Sequence, residues 1–281
     1  MKRNLEILKM SLSGLSKTAM LLLIVLFGGF NHRVSNIRIL DSLSMIKDVQ
    51  LTAVLLNNQQ HILPFKDLAQ RRIASVNFGA FNSVAFDKML RNYAAVTSFN
   101  SDSFTLKDLR EYTTLIIQVT PQSVFSSETL SFIREIQRNK EVIIAGFGNT
   151  TALQTLDAFT IPLIWNPHNT VAAVEQSAAI IFGGVSAEGR LNESVSPRFS
   201  AGAGYTTSKI RLKYAIPEDL SISSARLNKI DDIVNSAISE HATPSAVVMV
   251  VKDGNVIFNK AYGSHTYDGD IPTQTTDIYD V

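Results

Sequence analysis

The chain has 281 residues, of which 26 are Lys or Arg and 25 are Asp or Glu, giving a formal net charge of +1. This balance argues against a strongly basic surface, and we expect no nucleic-acid partner. The absence of cysteine excludes a disulfide scaffold, thiolate zinc sites and a cysteine nucleophile. A hydrophobic content of 45% is sufficient to bury a core, and the length allows one or two domains.

At the amino terminus, basic residues precede an unbroken apolar run, Ala19–Phe30. The run is shorter than the roughly 20 residues of a spanning helix, and this pattern is typical of a secretory signal or a short anchor. A buried core element, or a misplaced start site, is the alternative. We interpret residues 1–30 as a signal peptide or membrane anchor and 31–48 as a linker or helix. This predicts an exported, periplasmic or membrane-anchored protein of the bacterial envelope.

Between residues 49 and 205, apolar runs alternate with amphipathic stretches. Four short runs, rich in β-branched residues, predict strands that are buried on both faces: Leu51–Leu56, Ile73–Phe78, Thr114–Val119 and Val142–Phe147. The amphipathic stretches predict helices: Ser83–Tyr93, Ser127–Asn139 and Thr170–Phe182. The alternation predicts an α/β fold, a flavodoxin-like sandwich with a mostly parallel sheet and helices on both faces.

The turn after the fourth predicted strand is a candidate binding site, because parallel sheets bind ligands beyond the carboxyl ends of their strands. It contains Gly148 and Asn149, and glycine allows a ligand to approach the backbone closely. The turn matches neither the dinucleotide-binding pattern nor a P-loop. An ordinary strand-to-helix turn is the alternative, and Gly148 and Asn149 remain candidate substrate-binding residues.

Four segments, in order, resemble the carboxyl-terminal α/β sandwich domain of glycoside hydrolase family 3. They are Thr52–Asn58 with Ile62–Phe65, Ala145–Asn149 with Ala152-Leu153, Ala178–Gly184 with Gly189–Leu191, and Phe199–Tyr205. The resemblance assigns residues 49–205 to such a domain. It implies hydrolysis of O-glycosyl bonds of the β-glucosidase or β-N-acetylhexosaminidase type, with a carbohydrate or cell-wall glycan as the partner.

A second resemblance begins after a predicted linker, residues 206–222. The spacing in Leu227–Val234 predicts a helix with Ser223 or Ser224 as its cap. Two apolar runs that flank Asp253-Gly254 predict a β-hairpin. Helix and hairpin are similar to the opening of a serine β-lactamase-like hydrolase domain. We therefore interpret residues 223–281 as the incomplete start of such a domain, joined to the sandwich as in bacterial fusions of the two.

The family 3 resemblance implies two catalytic carboxyl groups, the nucleophile being carried by a barrel domain. Too few residues precede the sandwich to form that barrel, so we expect the nucleophile to be missing. The available carboxylates are Glu175, Glu188 and Glu193, and Glu188, just before Gly189-Arg190, is the candidate acid/base. A solvated surface glutamate is the alternative interpretation.

The serine hydrolase resemblance implies an S-x-x-K motif, in which lysine helps to activate a serine. We expect it after the stretch that begins at Asp277, where the sequence stops at Val281. Ser44 and Lys47 satisfy the pattern far upstream, but a four-residue match is favoured as chance.

Trp165, the only tryptophan, ends the apolar run Ile161–Trp165. It is a third candidate substrate-binding residue, because carbohydrate sites often stack sugars on aromatic rings. A position in the core or at the sheet edge is the alternative. The histidines are scattered without metal-ligand spacing, so we predict neither a metal nor a cofactor.

Three hypotheses follow from these patterns. The first is a fragment or remnant of a family 3 hydrolase fused to a serine hydrolase and inactive alone. The second is a non-catalytic carbohydrate-binding or accessory module that acts with a separate barrel subunit. The third is a membrane-anchored serine hydrolase that uses Ser44 and Lys47. We also expect proteolysis to remove Ile222–Val281 before the sandwich, since an isolated hairpin is marginally stable.

Overall fold

The structure is a computed structural model that describes residues 53–269 and 271–279. The predicted signal or anchor, the linker that follows it, and Ser44 with Lys47 lie outside the described residues. Within the described ranges, none of the helices combines the length and apolarity that a membrane crossing requires.

A six-stranded, mostly parallel sheet organises the sandwich. Its strands are β1 (Val54–Leu56), β2 (Ile73–Phe78), β3 (Val96–Asn100), β4 (Thr114–Val119), β5 (Glu141–Phe147) and β6 (Leu163–Asn166). Their order across the sheet is β1-β6-β5-β4-β2-β3, and only β1 pairs antiparallel with its neighbour. Without β1, this is the flavodoxin-like order. The predicted fold class is confirmed.

Helices cover both faces of the sheet because alternate strand residues point to opposite sides. The helices are α1 (Ser83–Arg91), α2 (Pro121–Val124), α3 (Ser127–Ile136) and α4 (Val171–Phe182), with 3-10 helices at Leu68–Gln70 and Thr150–Leu156. On one face, Ile116 and Ile143 pack beneath α1 and α4. On the other, Ile117 and Ile144 pack beneath α3 and the 3-10 helix that follows β5.

Two strands lack a clear signal in the sequence. In β3 only Val96 is buried, because this strand forms the sheet edge and its polar residues face solvent. The four residues of β6 are all buried but too few to distinguish a strand from another buried segment. The apolar run Ile161–Trp165 therefore indicated a buried segment at the position of β6 but could not identify it as a strand.

A smaller sheet follows the sandwich in the chain. It contains β7 (Lys213–Tyr214), β8 (Ser245–Lys252) and β9 (Asn255–Gly263), with α5 (Ser224–Leu227), α6 (Lys229–Ser239) and a 3-10 helix at Pro217–Leu220. β8 and β9 form the predicted hairpin, and both turn residues, Asp253 and Gly254, have positive φ as a type I′ turn requires. β7, within the predicted linker 206–222, adds a third strand beside β9.

The sequence predicts that the side chain of Ser223 or Ser224 caps the helix after this linker, and this prediction is wrong. Ser223 occupies the N-cap position of α5, but its side chain makes no capping hydrogen bond. Instead, the backbone N–H of Ser224 donates to Oε1 of Glu218 at 2.8 Å. This bond lowers the pKa of Glu218, because it stabilises the ionised carboxylate.

The packing of Trp165 against β5 depends on a glycine. Trp165 is fully buried, and a Cβ atom at Gly146 would overlap its ring. The indole N–H donates to the carbonyl of Gly148 at 2.8 Å. The side chain therefore joins β6 to the end of β5 through both its ring and its polar atom.

We expect Gly146→Ala to destabilise the fold by about 1–3 kcal/mol, because the added methyl forces the indole or β5 to move. Urea unfolding of the full chain measures the change. In a Trp165→Leu background the same substitution should cost much less, since the overlapping ring atoms are gone. Equal costs in the two backgrounds would contradict the proposed overlap.

Arg211 ties the end of α4 to the loop after β1. Its guanidinium donates to the carbonyls of Phe65 at 2.6 Å, Phe182 at 2.7 Å and Lys66 at 3.1 Å. Phe182 is the last residue of α4, so the cation also lies at the negative end of the helix dipole. Three carbonyls thus depend on one side chain for their hydrogen bonds.

Arg211→Ala should lower the free energy of unfolding by about 2–3 kcal/mol, because partly buried carbonyls lose charge-assisted hydrogen bonds. Arg226→Ala is the matched control, since Arg226 is exposed and should change stability by less than about 0.5 kcal/mol. The measurement is thermal or urea unfolding, and indistinguishable effects of the two variants would refute this role.

Candidate functional site

The carboxyl ends of the parallel strands form the candidate site. Four connections leave this side of the sheet: residues 79–82 after β2, 120–125 after β4, 148–150 after β5 and 167–170 after β6. We call them together the carboxyl edge. The chain runs from β2 to β3 on one side and from β4 to β5 on the other. The topological switch point, where doubly wound sheets bind ligands, therefore lies between β2 and β4.

Hydrogen bonds and close packing hold these connections together. Asn82 Nδ2 donates to the carbonyl of Asn169 at 2.6 Å and joins the first connection to the last. The N–H of Gly148 donates to the carbonyl of Asn166 at 2.9 Å. A Cβ atom at Gly148 would lie 3.1 Å from Pro121, so the two middle connections are also in contact. The carboxyl edge is thus an interlinked surface.

The predicted binding residues Gly148 and Asn149 lie on this edge. Asn149 is exposed, and its Oδ1 accepts a hydrogen bond from the N–H of Thr151 at 2.9 Å. It therefore begins the 3-10 helix Thr150–Leu156 as its N-cap. Gly148 and Asn149 therefore both have a structural role in the turn. Substrate binding by either residue stays a prediction.

Trp165 occupies the core, which was the alternative considered from the sequence. Its side chain is 0% exposed, so neither face of the ring is open to a sugar. Its indole N–H donates a hydrogen bond to the carbonyl of Gly148, which lies on the carboxyl edge. Its contribution to a site on this edge is to position the turn.

The three carboxylates singled out from the sequence are dispersed. Glu188 is exposed and accepts a hydrogen bond from Ser186 Oγ at 2.7 Å. Glu193, also exposed, accepts one from Thr150 Oγ1 at 3.4 Å and so contacts the carboxyl edge. Glu175 is half-buried within α4. Of these carboxylates, Glu193 has a described hydrogen bond to the turn, whereas the acid/base role of Glu188 stays a prediction.

Sequence analysis missed a group of exposed apolar residues on and beside the carboxyl edge. Phe81 is 91% exposed in the first connection, and Phe125 is 61% exposed in the second. Val84 and Val171, in the first turns of α1 and α4, are also exposed. Exposed apolar surface on one edge of a sheet can mark a binding site. The available signal was an aromatic residue within a predicted connection, immediately after a strand.

The carboxyl group of Glu175 is partly buried and lies near charged side chains. Burial raises its pKa, and the nearby positive charge of Lys88 opposes that shift in part. The negative charge of Asp219 raises the pKa of Glu175 further. Within the described ranges, no group of three or more His, Cys, Asp or Glu side chains could hold a metal ion.

Comparison with known proteins finds distant structural similarity. No protein-family model and no curated protein matches the chain. It is similar to a fungal multidomain family 3 β-N-acetylglucosaminidase described as having a GCN5-related glucosamine N-acetyltransferase region (16% identity, TM-score 0.48, 80% of this chain and 30% of that one). It is also similar to a β-glucoside phosphorylase (15% identity, TM-score 0.39, 50% and 29%).

A third similar structure is a family 3 β-N-acetylglucosaminidase from Paenibacillus sp. strain FPU-7 (10% identity, TM-score 0.36, 48% of this chain and 29% of that one). The chain spans less than a third of the length of these three proteins. Glycoside hydrolase family 3 enzymes are thus among its structural neighbours at low identity.

The raised pKa of Glu175 gives a pH-dependent prediction. The folded protein binds this proton more tightly than the unfolded chain, so stability falls as pH rises through the interval above the ordinary value of 4.5. Glu175→Gln removes the buried charge and should stabilise the protein at neutral pH. The gain should shrink toward about pH 4, where the wild-type side chain is largely protonated.

Urea unfolding at several pH values measures this difference. Glu188→Gln is the matched control, since Glu188 is exposed and should show no pH-dependent gain. A constant difference between Glu175→Gln and wild type across the pH range would contradict burial as the cause.

Proposed function

We propose that the described sandwich is a family 3-type domain that binds glycans at its carboxyl edge and does not itself supply a catalytic carboxyl pair. The observation that carries the family assignment is that the four motif segments lie together in one domain. Three of them meet directly. Leu191 and Ala203 are joined by a backbone hydrogen bond of 3.0 Å, and Tyr205 donates to the carbonyl of Leu55 at 2.7 Å.

The glycine pair of the third motif supports the same assignment. Gly183 ends α4 in the left-handed conformation, with φ 71°, which favours glycine at a helix C-cap. Gly184 lies so close to Tyr93 that a Cβ atom there would overlap the phenol ring. The backbone conformation of Gly183 and the close packing at Gly184 therefore both favour glycine where the family motif has it.

Glycan binding at the carboxyl edge is supported by its surface chemistry. Phe81 and Phe125 present exposed rings near the switch point, and aromatic rings supply apolar contact to a sugar face. Asn149 and Thr150, in the connection after β5, add polar side chains to the same edge. Small-molecule sites combine aromatic groups with a few polar groups, and both kinds are present on this edge.

The non-catalytic part of the proposal rests on the distribution of acids. A retaining glycosidase needs two carboxyl groups about 5–5.5 Å apart. Glu193 contacts Thr150, Glu188 bonds to Ser186, and Glu175 lies within α4, so each carboxylate has separate surroundings. In this proposal, hydrolysis requires carboxyl groups from outside the described residues, on a barrel domain or a separate barrel subunit.

A serine hydrolase relationship for residues 223–281 is a further part of the proposal. The confirmed order of helix and type I′ hairpin supports it. The proposed envelope location rests on the run Ala19–Phe30 alone. Catalysis by Ser44 and Lys47 stays a prediction, since both residues lie outside the described ranges.

The test is binding of cello- and chitooligosaccharides to the full chain by titration calorimetry. Phe81→Ala with Phe125→Ala should weaken binding by about tenfold or more, since a tenfold loss corresponds to about 1.4 kcal/mol of lost contact. Tyr267→Ala is the matched control, because Tyr267 is an exposed aromatic in the carboxyl-terminal part of the chain. Stability should be unchanged in both variants.

Absence of binding by the wild-type chain, or equal binding by the double variant, would overturn the assignment of the carboxyl edge. Hydrolysis of aryl β-glucosides or β-N-acetylglucosaminides by the purified chain would separately overturn the non-catalytic part.

A further inference from the structure

The connection between β3 and β4, residues 101–113, is irregular where a helix is expected. Both strands run parallel to β2, and parallel strands are usually joined by a helical crossover. Residues 101–113 form turns but contain no helix or strand. An irregular connection of this length is uncommon in a compact domain and usually has a function.

The connection is nevertheless packed firmly onto the sandwich. Leu109 is fully buried. The ring of Phe104 packs edge-on against Phe99 of β3 and Phe132 of α3, with ring centroids 5.9 Å and 5.6 Å apart. Tyr112 makes the same kind of contact with Phe99, at 5.7 Å. Core packing therefore fixes the position of the connection, as a preformed ligand site requires.

The connection and β3 border an open cavity of about 420 Å³. Small-molecule sites have volumes of roughly 300–1,000 Å³ and place a few polar groups beside aromatic ones. This cavity combines two aromatic rings, two cations and two carboxylates. Its lining residues are Phe99, Lys107, Asp108, Arg110, Glu111 and Tyr112.

Two further cations are bonded to the backbone of the segment that lines the cavity. Arg72 donates through Nε to the carbonyl of Glu111. Lys140 Nζ donates to the carbonyl of Arg110 at 3.3 Å and to that of Tyr112. Burial lowers the pKa of Lys140, and the neighbouring positive charge of Arg72 lowers it further. An anion bound nearby would reduce the repulsion between these two cations.

The two cations in the lining itself are available to a ligand. Lys107 and Arg110 are exposed, and neither forms an ion pair with a described residue. Asp108 is instead bonded within the connection, because its Oδ2 accepts from the N–H and the hydroxyl of Thr105, both at 2.8 Å. With the two cations bonded to the backbone, four cations and two acids surround the cavity. This balance favours a negatively charged ligand.

We propose that this cavity binds an acidic sugar, that is, a sugar ring that carries a carboxylate or a phosphate. Arg110 and Lys107 bind the anionic group, since a guanidinium can donate two parallel hydrogen bonds to its oxygens. Phe99 and Tyr112 provide apolar contact to the ring. The exposed carboxylate of Glu111 accepts hydrogen bonds from the hydroxyls of the sugar.

This site is separate from the carboxyl edge. Arg72, Tyr112 and Lys140 come just before β2, β4 and β5, so the cationic side of the cavity lies at the amino ends of these strands. The six lining residues belong to β3 and to the one connection that follows it, so the described sandwich contains all of them. The proposal therefore does not depend on glycan binding at the carboxyl edge, and the two can fail independently.

Chemical-shift titration of the isotope-labelled full chain tests the proposal with glucuronate, glucose 6-phosphate, glucose and inorganic phosphate. At least one sugar anion should bind and shift the amides of residues 99–112, and the one that binds more tightly identifies the anionic group. Glucose and inorganic phosphate should bind at least about tenfold more weakly, because each lacks either the charge or the ring. Salt should weaken binding through screening. No binding of either sugar anion, equal binding of glucose or phosphate, or shifts confined to the carboxyl edge overturns the proposal.

A pair of double variants separates specific binding from a general effect of charge. Lys107→Gln with Arg110→Gln removes the two available cations and should weaken binding of the preferred sugar anion by about tenfold or more. Arg226→Gln with Lys229→Gln is the matched control, because it removes the same charge from exposed residues outside the sandwich and should leave binding unchanged. All four residues are exposed, so both variants should fold as the wild type does. Equal binding by the two double variants contradicts the proposal.

Discussion

The fit of Trp165 against Gly146, with its hydrogen bond to Gly148, is the constraint on which the candidate site depends. The indole ring fits against β5 only because Gly146 has no side chain at the contact. The N–H of the same indole also donates a hydrogen bond to the carbonyl of Gly148 in the turn. The position of the turn, and with it Asn149 and Thr150, therefore follows from core packing.

The sequence was most informative where a segment is buried on both faces or contains an obligatory turn. β2, β4 and β5 appear as nearly continuous apolar runs, and the positive φ of Asp253 and Gly254 follows from the D-G pair. The edge strand β3 has no such run, because half of its surface is in solvent. Local sequence patterns thus predicted the central strands of the sheet but not the strand at its edge.

The candidate site was less predictable because its residues come together through tertiary structure. Glu188 was favoured from its neighbours in the sequence, whereas the contact to Thr150 is made by Glu193, 43 positions away in the chain. Phe81 and Phe125 carry no motif, and their exposure depends on which side of each connection faces solvent. Trp165 was correctly placed at the end of a strand, but periodicity could not choose between core and surface.

The contacts of the short strand β7 limit where gene fusion could join a different carboxyl-terminal partner to the sandwich. Tyr214 pairs with β9 and also packs edge-on against Tyr93, whose ring stacks on Phe182 at the end of α4. Ile210 and Arg211 bond to the carbonyl of Gly183. Recombination that joined another carboxyl-terminal partner anywhere in residues 209–215 would remove contacts from both halves at once. A junction that keeps these contacts therefore lies after Ala215, and any new carboxyl-terminal partner must offer a strand edge that pairs with β7.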